Sequence, residues 1–453
     1  MSKNLSGLKN LIMFLVAALI LSCVAFYNGY PLVYPDTSGY IGLHDNLLRS
    51  FFYNLFIFSS SWFQSLWTVV LVQSLIAAHL LYLVLRIVFM VTSRIAYIVL
   101  IALMCLLTNL PWFTGFILPD IFTGALILSL YLLIFCRANL GLWERRYLFL
   151  LTVLSATVHL SNLPLALGII GGALLFRLMK KNNNHWPVPR LVSVCFAIFL
   201  SFILIIANNY RMQGALTFSP DGYSYLLARF IADGEAIKYL KKSCPERKYK
   251  LCAYLDQLPD NSDNFLWPAE SPFRKVGWIN GYRQEGTEIV KKTLLNYPFL
   301  IIKNSLRNTV LQFFMVNNRY GIISYIDNPY PTDKIKEYYP GDFQAYANSR
   351  QNLNRLSLNV FNSIHLTVIF LSLLISAVMF FTFMKHQQYL PVLLLVSIFF
   401  AYIISSFITG TLSAPHDRYG SRIIWLLPFF CIASLISMID KVKILIPKTR
   451  MEN

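Results

Sequence analysis

"LWTVVLVQSLIAAHLLYLVLRIVFM", residues 66–90, carries one formal charge, Arg86, in twenty-five positions. At about 1.5 Å of rise per residue, such a helix is long enough to cross a hydrocarbon core of about 30 Å. Comparable runs recur at 10–27, 95–109, 114–136, 146–159, 163–179, 191–208, 361–384, 389–411 and 422–440. In hydrocarbon the backbone must satisfy its own hydrogen bonds, so each run is expected to be a helix. The predicted class is an all-α polytopic membrane protein with about ten transmembrane helices. Composition points the same way: the 453 residues are 56% hydrophobic and 13% charged, against about 25% charged in soluble domains.

The gap between the seventh and eighth runs divides the chain into an N-terminal membrane bundle (1–208), an insert (209–360) and a C-terminal membrane bundle (361–453). The insert holds 14 of the 21 acids and 20 of the 39 bases, so it reads as a water-facing segment. Within it, residues 298–316 are apolar at most positions yet carry Lys303, Asn304, Arg307 and Asn308, a pattern expected of a helix lying in the membrane interface.

The net charge of +18 is explained by membrane topology rather than by nucleic acid. Basic residues concentrate in cytoplasmic loops. Lys3, Lys9, Arg86, Arg94, Arg137, Arg145, Arg146, Arg177, Lys180, Lys181, Arg190, Lys385, Lys441, Lys443, Lys448 and Arg450 all fall on one side if the N-terminus is cytoplasmic. An even helix number then places the C-terminus there too and the insert outside. The first run is read as an uncleaved anchor, because no small-residue cleavage pattern follows "ILSC" (20–23).

Of seven cysteines, Cys23, Cys105, Cys136, Cys195 and Cys431 lie in apolar runs and read as small core residues. Cys244 and Cys252 are the pair in the polar insert, and an oxidising compartment would join them as a disulfide. A metal site there lacks a second Cys/His pair.

Polar groups at membrane depth are costly and mark functional sites. On this topology Asp36 and Arg49 fall in the first outer loop, and Asp120 opens the fourth helix after Pro119, where a carboxylate suits the helix dipole. His159 and Asn162 fall in the outer turn "TVHLSNLP". His416, Asp417, Arg418 and Tyr419 fall in "SAPHDRYGSR". His44 and Asp45 read as solvated loop. Each group has a plainer reading: Asp36 as a turn former, His159 as a structural hydrogen-bonding side chain, Arg418 and Arg422 as interface anchors. Their common level is what an active site at a membrane surface requires. The sequence has no GxxxxGK[ST] loop, no GxSxG elbow and no HExxH.

"YPDTSGYI" (34–41), "LPDIFTG" (118–124) and the closing "RY…R…WLLP" helix resemble the GT-C superfamily of integral membrane glycosyltransferases, which use polyprenyl-phosphate sugars. The first two stretches also resemble a bacterial multi-pass membrane-protein family. The resemblance implies a GT-C-like bundle in a bacterial inner membrane, acting on its extracytoplasmic face. A sugar would pass from a polyprenyl-phosphate donor to an envelope glycan or lipid acceptor. Asp36 would be the general base; Asp120 would hold the acceptor, a second ligand or a divalent cation. Arg49 and Arg418 would grip the lipid phosphate, and His159, Asn162 and Tyr419 would orient sugar hydroxyls. The segment near 298–316 would line the lipid entrance. Two alternatives stay open: an envelope-modifying transferase of acyl or phospho groups, with His416 and Asp417 as candidates, and a non-enzymatic lipid-precursor flippase or scaffold.

Overall fold

The computed structural model describes residues 2–42, 49–62, 64–180, 185–318 and 321–445. His44, Asp45, Lys181, Lys448 and Arg450 lie outside these described residues. Among them the regular structure is helical. In chain order the helices are α1 (Ser2–Leu21), α2 (Cys23–Asn28), α3 (Phe51–Ser60), α4 (Leu66–Val88), α5 (Arg94–Leu107), α6 (Leu110–Gly115), α7 (Ile121–Phe135), α8 (Leu142–Val158), α9 (Asn162–Met179) and α10 (Val192–Gln213). There follow α11 (Gly222–Ala232), α12 (Glu235–Ser243), α13 (Ser262–Leu266), α14 (Pro272–Lys275), α15 (Trp278–Asn296) and α16 (Pro298–Phe314). The chain closes with α17 (Pro329–Tyr338), α18 (Phe343–Ala347), α19 (Leu358–Lys385), α20 (Tyr389–Leu412), α21 (Asp417–Ile424) and α22 (Leu426–Leu445).

Among the described residues, six helical stretches are long and apolar enough to cross a membrane: α4, α9, α10, α19, α20 and Asp417–Asp440. Among the shorter apolar helices, α5 has 14 residues and α7 has 15, about 21–23 Å at helical rise. The run expected over 114–136 divides because residues 110–115 form α6 and Pro119 precedes the start of α7. Several starts are legible in the chemistry. Ser50, Ser65 and Ser93 each precede a helix, and each hydroxyl accepts from a first-turn N–H (Phe52, Trp67 and Ala96, at 3.2, 3.4 and 3.3 Å).

The chain forms two compact units. The first comprises residues 1–202, 316–401 and 421–453; the second comprises 203–315 and 402–420. The stretch read from sequence as one insert, 209–360, is therefore divided between both.

In the first unit the helices run between two chemically distinct ends. One is basic: Arg86 pairs with Glu144 (2.6 Å), Arg94 reaches Asn10 (3.0 Å), and Arg137 reaches Ser193 (3.0 Å). Trp186 packs on Tyr389 there, with ring centroids 4.4 Å apart. The other end carries the turn at 30–42 and the starts of α7 and α9. Part-buried Cys23 and Cys105, expected as independent core residues, lie with sulfurs 2.6 Å apart.

Gly321 shows how tightly the turn is held. Its φ is +76°, and an added Cβ would lie 1.6 Å from the Tyr34 ring. Gly321→Ala is expected to cost about 1–3 kcal/mol through overpacking and a disfavoured backbone, read as a lower thermal midpoint in detergent.

In the second unit, Cys244 and Cys252 are joined by a disulfide. Asp233 accepts from both Arg229 (2.7 Å) and Arg307 (2.8 Å) and from Asn308 (2.7 Å), tying α11 to α16.

Candidate functional site

The site is assembled at the end of the first unit opposite the arginine-rich one. Its foundation is backbone pairing. Leu32 donates to Gly115 (2.9 Å) and accepts from Ile117 (3.0 Å), so the chain leaving α2 lies against the chain entering α7. Thr37, fully buried, accepts from Tyr34 N–H (3.0 Å) and donates to Ile117 O (3.1 Å). The segments bearing Asp36 and Asp120 are thus direct neighbours.

Two amides rigidify this arrangement. Gln351 accepts from Val33 N–H (3.1 Å) and donates to the carbonyls of Val33 (2.6 Å) and Ile323 (3.0 Å). Gln73, buried in α4, donates to the carbonyls of Thr114 and Phe116 (3.0 and 2.8 Å) and accepts from Tyr53 (2.8 Å). Tyr40 sets its ring edge-on to Tyr53 at 4.9 Å. These bonds satisfy buried backbone groups that would otherwise each cost about 1–3 kcal/mol.

Asp342 ties the same turn to α4. Its carboxylate accepts from Ser65 Oγ (2.9 Å), from Leu66 N–H (2.9 Å) and from Tyr30 Oη (3.3 Å). Burial, with the nearby Asp342 charge, holds the Tyr30 phenol well above its ordinary pKa, which keeps it a donor. Asp342→Ala is expected to destabilise the chain by about 1–2 kcal/mol through loss of a charged cap, measured as a lower unfolding midpoint.

Asp36 sits in a one-turn 3-10 helix, Pro35–Gly39. It is ion-paired with Arg49, and both side chains stay partly open, at 20% and 18% exposure. Ser50, next to Arg49, donates to Thr157 O (2.7 Å) and so fixes this pair beside the end of α8.

Asp120, expected to serve the first turn of its helix, is instead the N-cap residue and makes no side-chain cap. Its carboxylate faces Arg422 at 3.4 Å, and both side chains are 1% exposed. Desolvating a carboxylate demands a charged partner, and Arg422 supplies it. The guanidinium also contacts His159 Nε2 (3.3 Å) and donates to Ser161 Oγ (3.1 Å). Nδ1 on the other side of the ring accepts from Ser161 N–H at 3.3 Å and lies 2.8 Å from Ser161 Oγ, so His159, Ser161 and Arg422 form one hydrogen-bonded cluster.

Asn162 is fully engaged in packing: Thr123 donates to it at 2.9 Å, and it donates to Ser155 O at 2.8 Å. Its role here is to join α9 to α7 and α8.

The structure thus brings Asp36 with Arg49, and Asp120 with His159 and Arg422, onto adjoining segments of one end of one unit. Arg418 and Tyr419 belong to the second unit. There Arg418 lies over the Tyr419 ring (5.5 Å), and His416 faces Asp263 at 3.3 Å. Among the described residues no group of three or more His, Cys, Asp or Glu gathers to hold a metal ion. Sequence reasoning missed Gln73, Gln351, Asp342 and Ser161. Only Gln73 left a trace, as an amide inside an otherwise apolar run.

No protein-family model matches the chain, and no curated protein or solved structure matches it.

Proposed function

We propose that this chain is an integral membrane transferase that moves a sugar from a polyprenyl-phosphate donor to an envelope acceptor. The observation that carries the reading is the partly open Asp36–Arg49 pair, held on a rigid turn beside a buried Asp120–Arg422–His159 cluster. Such placement at one end of a membrane bundle suits a substrate whose head group is polar and whose tail is lipid. In this reading all ten apolar runs cross the membrane, the basic end is cytoplasmic, and the site faces out of a bacterial inner membrane.

In the resting state Arg49 occupies Asp36. An arriving donor offers phosphate oxygens, which guanidinium binds bidentately. Arg49 turns to the phosphate, and Asp36 is released to accept the proton of the acceptor hydroxyl. The acceptor oxygen bonds to the anomeric carbon as the bond to the phosphate oxygen breaks. The leaving group departs as polyprenyl phosphate, with its charge stabilised by Arg49. Asp120 is too buried to touch substrate, so its task is to hold Arg422 and, through it, the turn at His159–Ser161.

The test is mass spectrometry of envelope glycans and lipid-linked sugars in cells lacking the gene. The proposal expects one sugar-sized mass to vanish and to return with the wild-type gene. An unchanged envelope profile would overturn it.

A further inference from the structure

Helix α16 is built inside out. Its buried positions are Ile301, Asn304, Ser305, Asn308 and Gln312, a stripe at helical spacing that is polar at four of five places. Each amide has a partner within the second unit. Asn304 donates to Glu235 (2.8 Å), Asn308 to Asp233 (2.7 Å), and Gln312 brackets His416 through its carbonyl (3.0 Å) and N–H (2.8 Å). The outward face carries Phe299, Ile302, Leu306, Val310, Leu311 and Phe314, with Phe299 86% and Phe314 74% exposed. A helix at a water-facing surface buries its apolar stripe and exposes its polar one. Inversion of that rule means that the surrounding solvent is itself apolar.

A second observation fixes the depth. The backbone of α16 at Asn308 lies so close to Gly410 of α20 that a Cβ there would sit 2.8 Å from the Asn308 carbonyl. Further along, Tyr402 donates to Phe313 O (2.9 Å). Moving five residues forward on α16, from 308 to 313, thus moves eight residues back on α20, from 410 to 402. The two helices run antiparallel, and Tyr402 is the fourteenth of the 24 residues of α20. That helix is long enough to span a membrane, so the C-terminal end of α16 reaches the level of its middle. The charges of α16 respect this gradient. Lys303 and Arg307 lie in its first ten residues, and none follows from Asn308 to Phe314.

We propose that α16 enters the hydrocarbon layer beside α20 and packs its outer face against bilayer acyl chains. It is a half-depth helix with its Pro298 end near water, rather than one lying flat in the interface. Lys303 and Arg307 sit where long basic side chains can reach the head groups. The inference does not rest on the reaction proposed above.

The test places a photoreactive diazirine amino acid at Leu306, and separately at Val310, in the full chain in phosphatidylcholine vesicles. Leu373 on the outer face of α19 serves as the lipid-facing control, and Lys248 in the polar segment as the water-facing one. Mass spectrometry should find a phospholipid adduct at Leu306 and Val310, as at Leu373, and none at Lys248. If both α16 positions give only water-quenched product or protein cross-links while Leu373 captures lipid, the proposal is overturned. Two outward positions are used so that a folding defect at one leaves the other informative.

Discussion

Replacing Arg422 by methionine is expected to remove about 3–5 kcal/mol of stability, because it leaves the Asp120 carboxylate buried without its charged partner. The signature is in the double replacement. Asp120→Leu with Arg422→Met removes both charges together, and two apolar side chains of similar volume can fill the same space. The pair should therefore be more stable than Arg422→Met alone. Thermal unfolding in detergent of the two single variants and the double variant reads this coupling directly. Additive losses would show that the two residues stabilise the chain independently, contrary to the contact between them. His159 and Ser161 add a check. Both lose a partner when Arg422 is removed, so the double variant should not fully recover the wild-type midpoint.

Asp36→Asn is expected to behave in the opposite way, with little change in stability and a large loss of transfer. The pair it breaks is partly exposed, and such pairs contribute about 0–1 kcal/mol. An amide keeps the shape of the turn but accepts no proton, and loss of a positioned general base typically costs about 10²–10⁴-fold in rate. Product formed per folded molecule, compared with wild type, separates this outcome from a folding defect.

Much of the fold was legible because hydrocarbon leaves few choices. Long uncharged runs had to be helices, and α4, α9, α10, α19 and α20 lie close to where periodicity and length placed them. Arg86, Arg94 and Arg137 lie at helix ends, where their positions in the sequence placed them. What could not be read was anything that depends on tertiary contact. Asp120 looked like a helix-start carboxylate, and nothing in "LPDIFTG" says that an arginine some three hundred residues later lies against it. Gln351 clamps the Asp36 turn from a stretch that looked like ordinary insert. The division of residues 209–360 between two units was hidden for the same reason. Charge composition marks a segment as polar but does not say which helices it packs against.

Candidate residues were legible by type but not by partner. Asp36 and Arg49 were both singled out, yet their pairing was not, and it changes the chemistry. In the proposed reaction, an acid held by arginine at rest would be released by the anionic donor, which would couple donor binding to activation of the base. Asn162 was chosen as a polar group at the outer level, and its amide is spent on Thr123 and Ser155. Burial and hydrogen bonding, not residue type, separate a positioning side chain from one left open to substrate.

The most direct test of the account uses membranes from cells lacking the gene as the source of both donor and acceptor. Purified wild-type chain or Asp36→Asn is added in equal folded amounts, and release of polyprenyl phosphate is followed with the gain of sugar mass on the acceptor. The account predicts both signals with wild type and a loss of at least about 10²-fold with Asp36→Asn. Equal rates for the two proteins would contradict it and leave Asp36 as a residue of the turn alone.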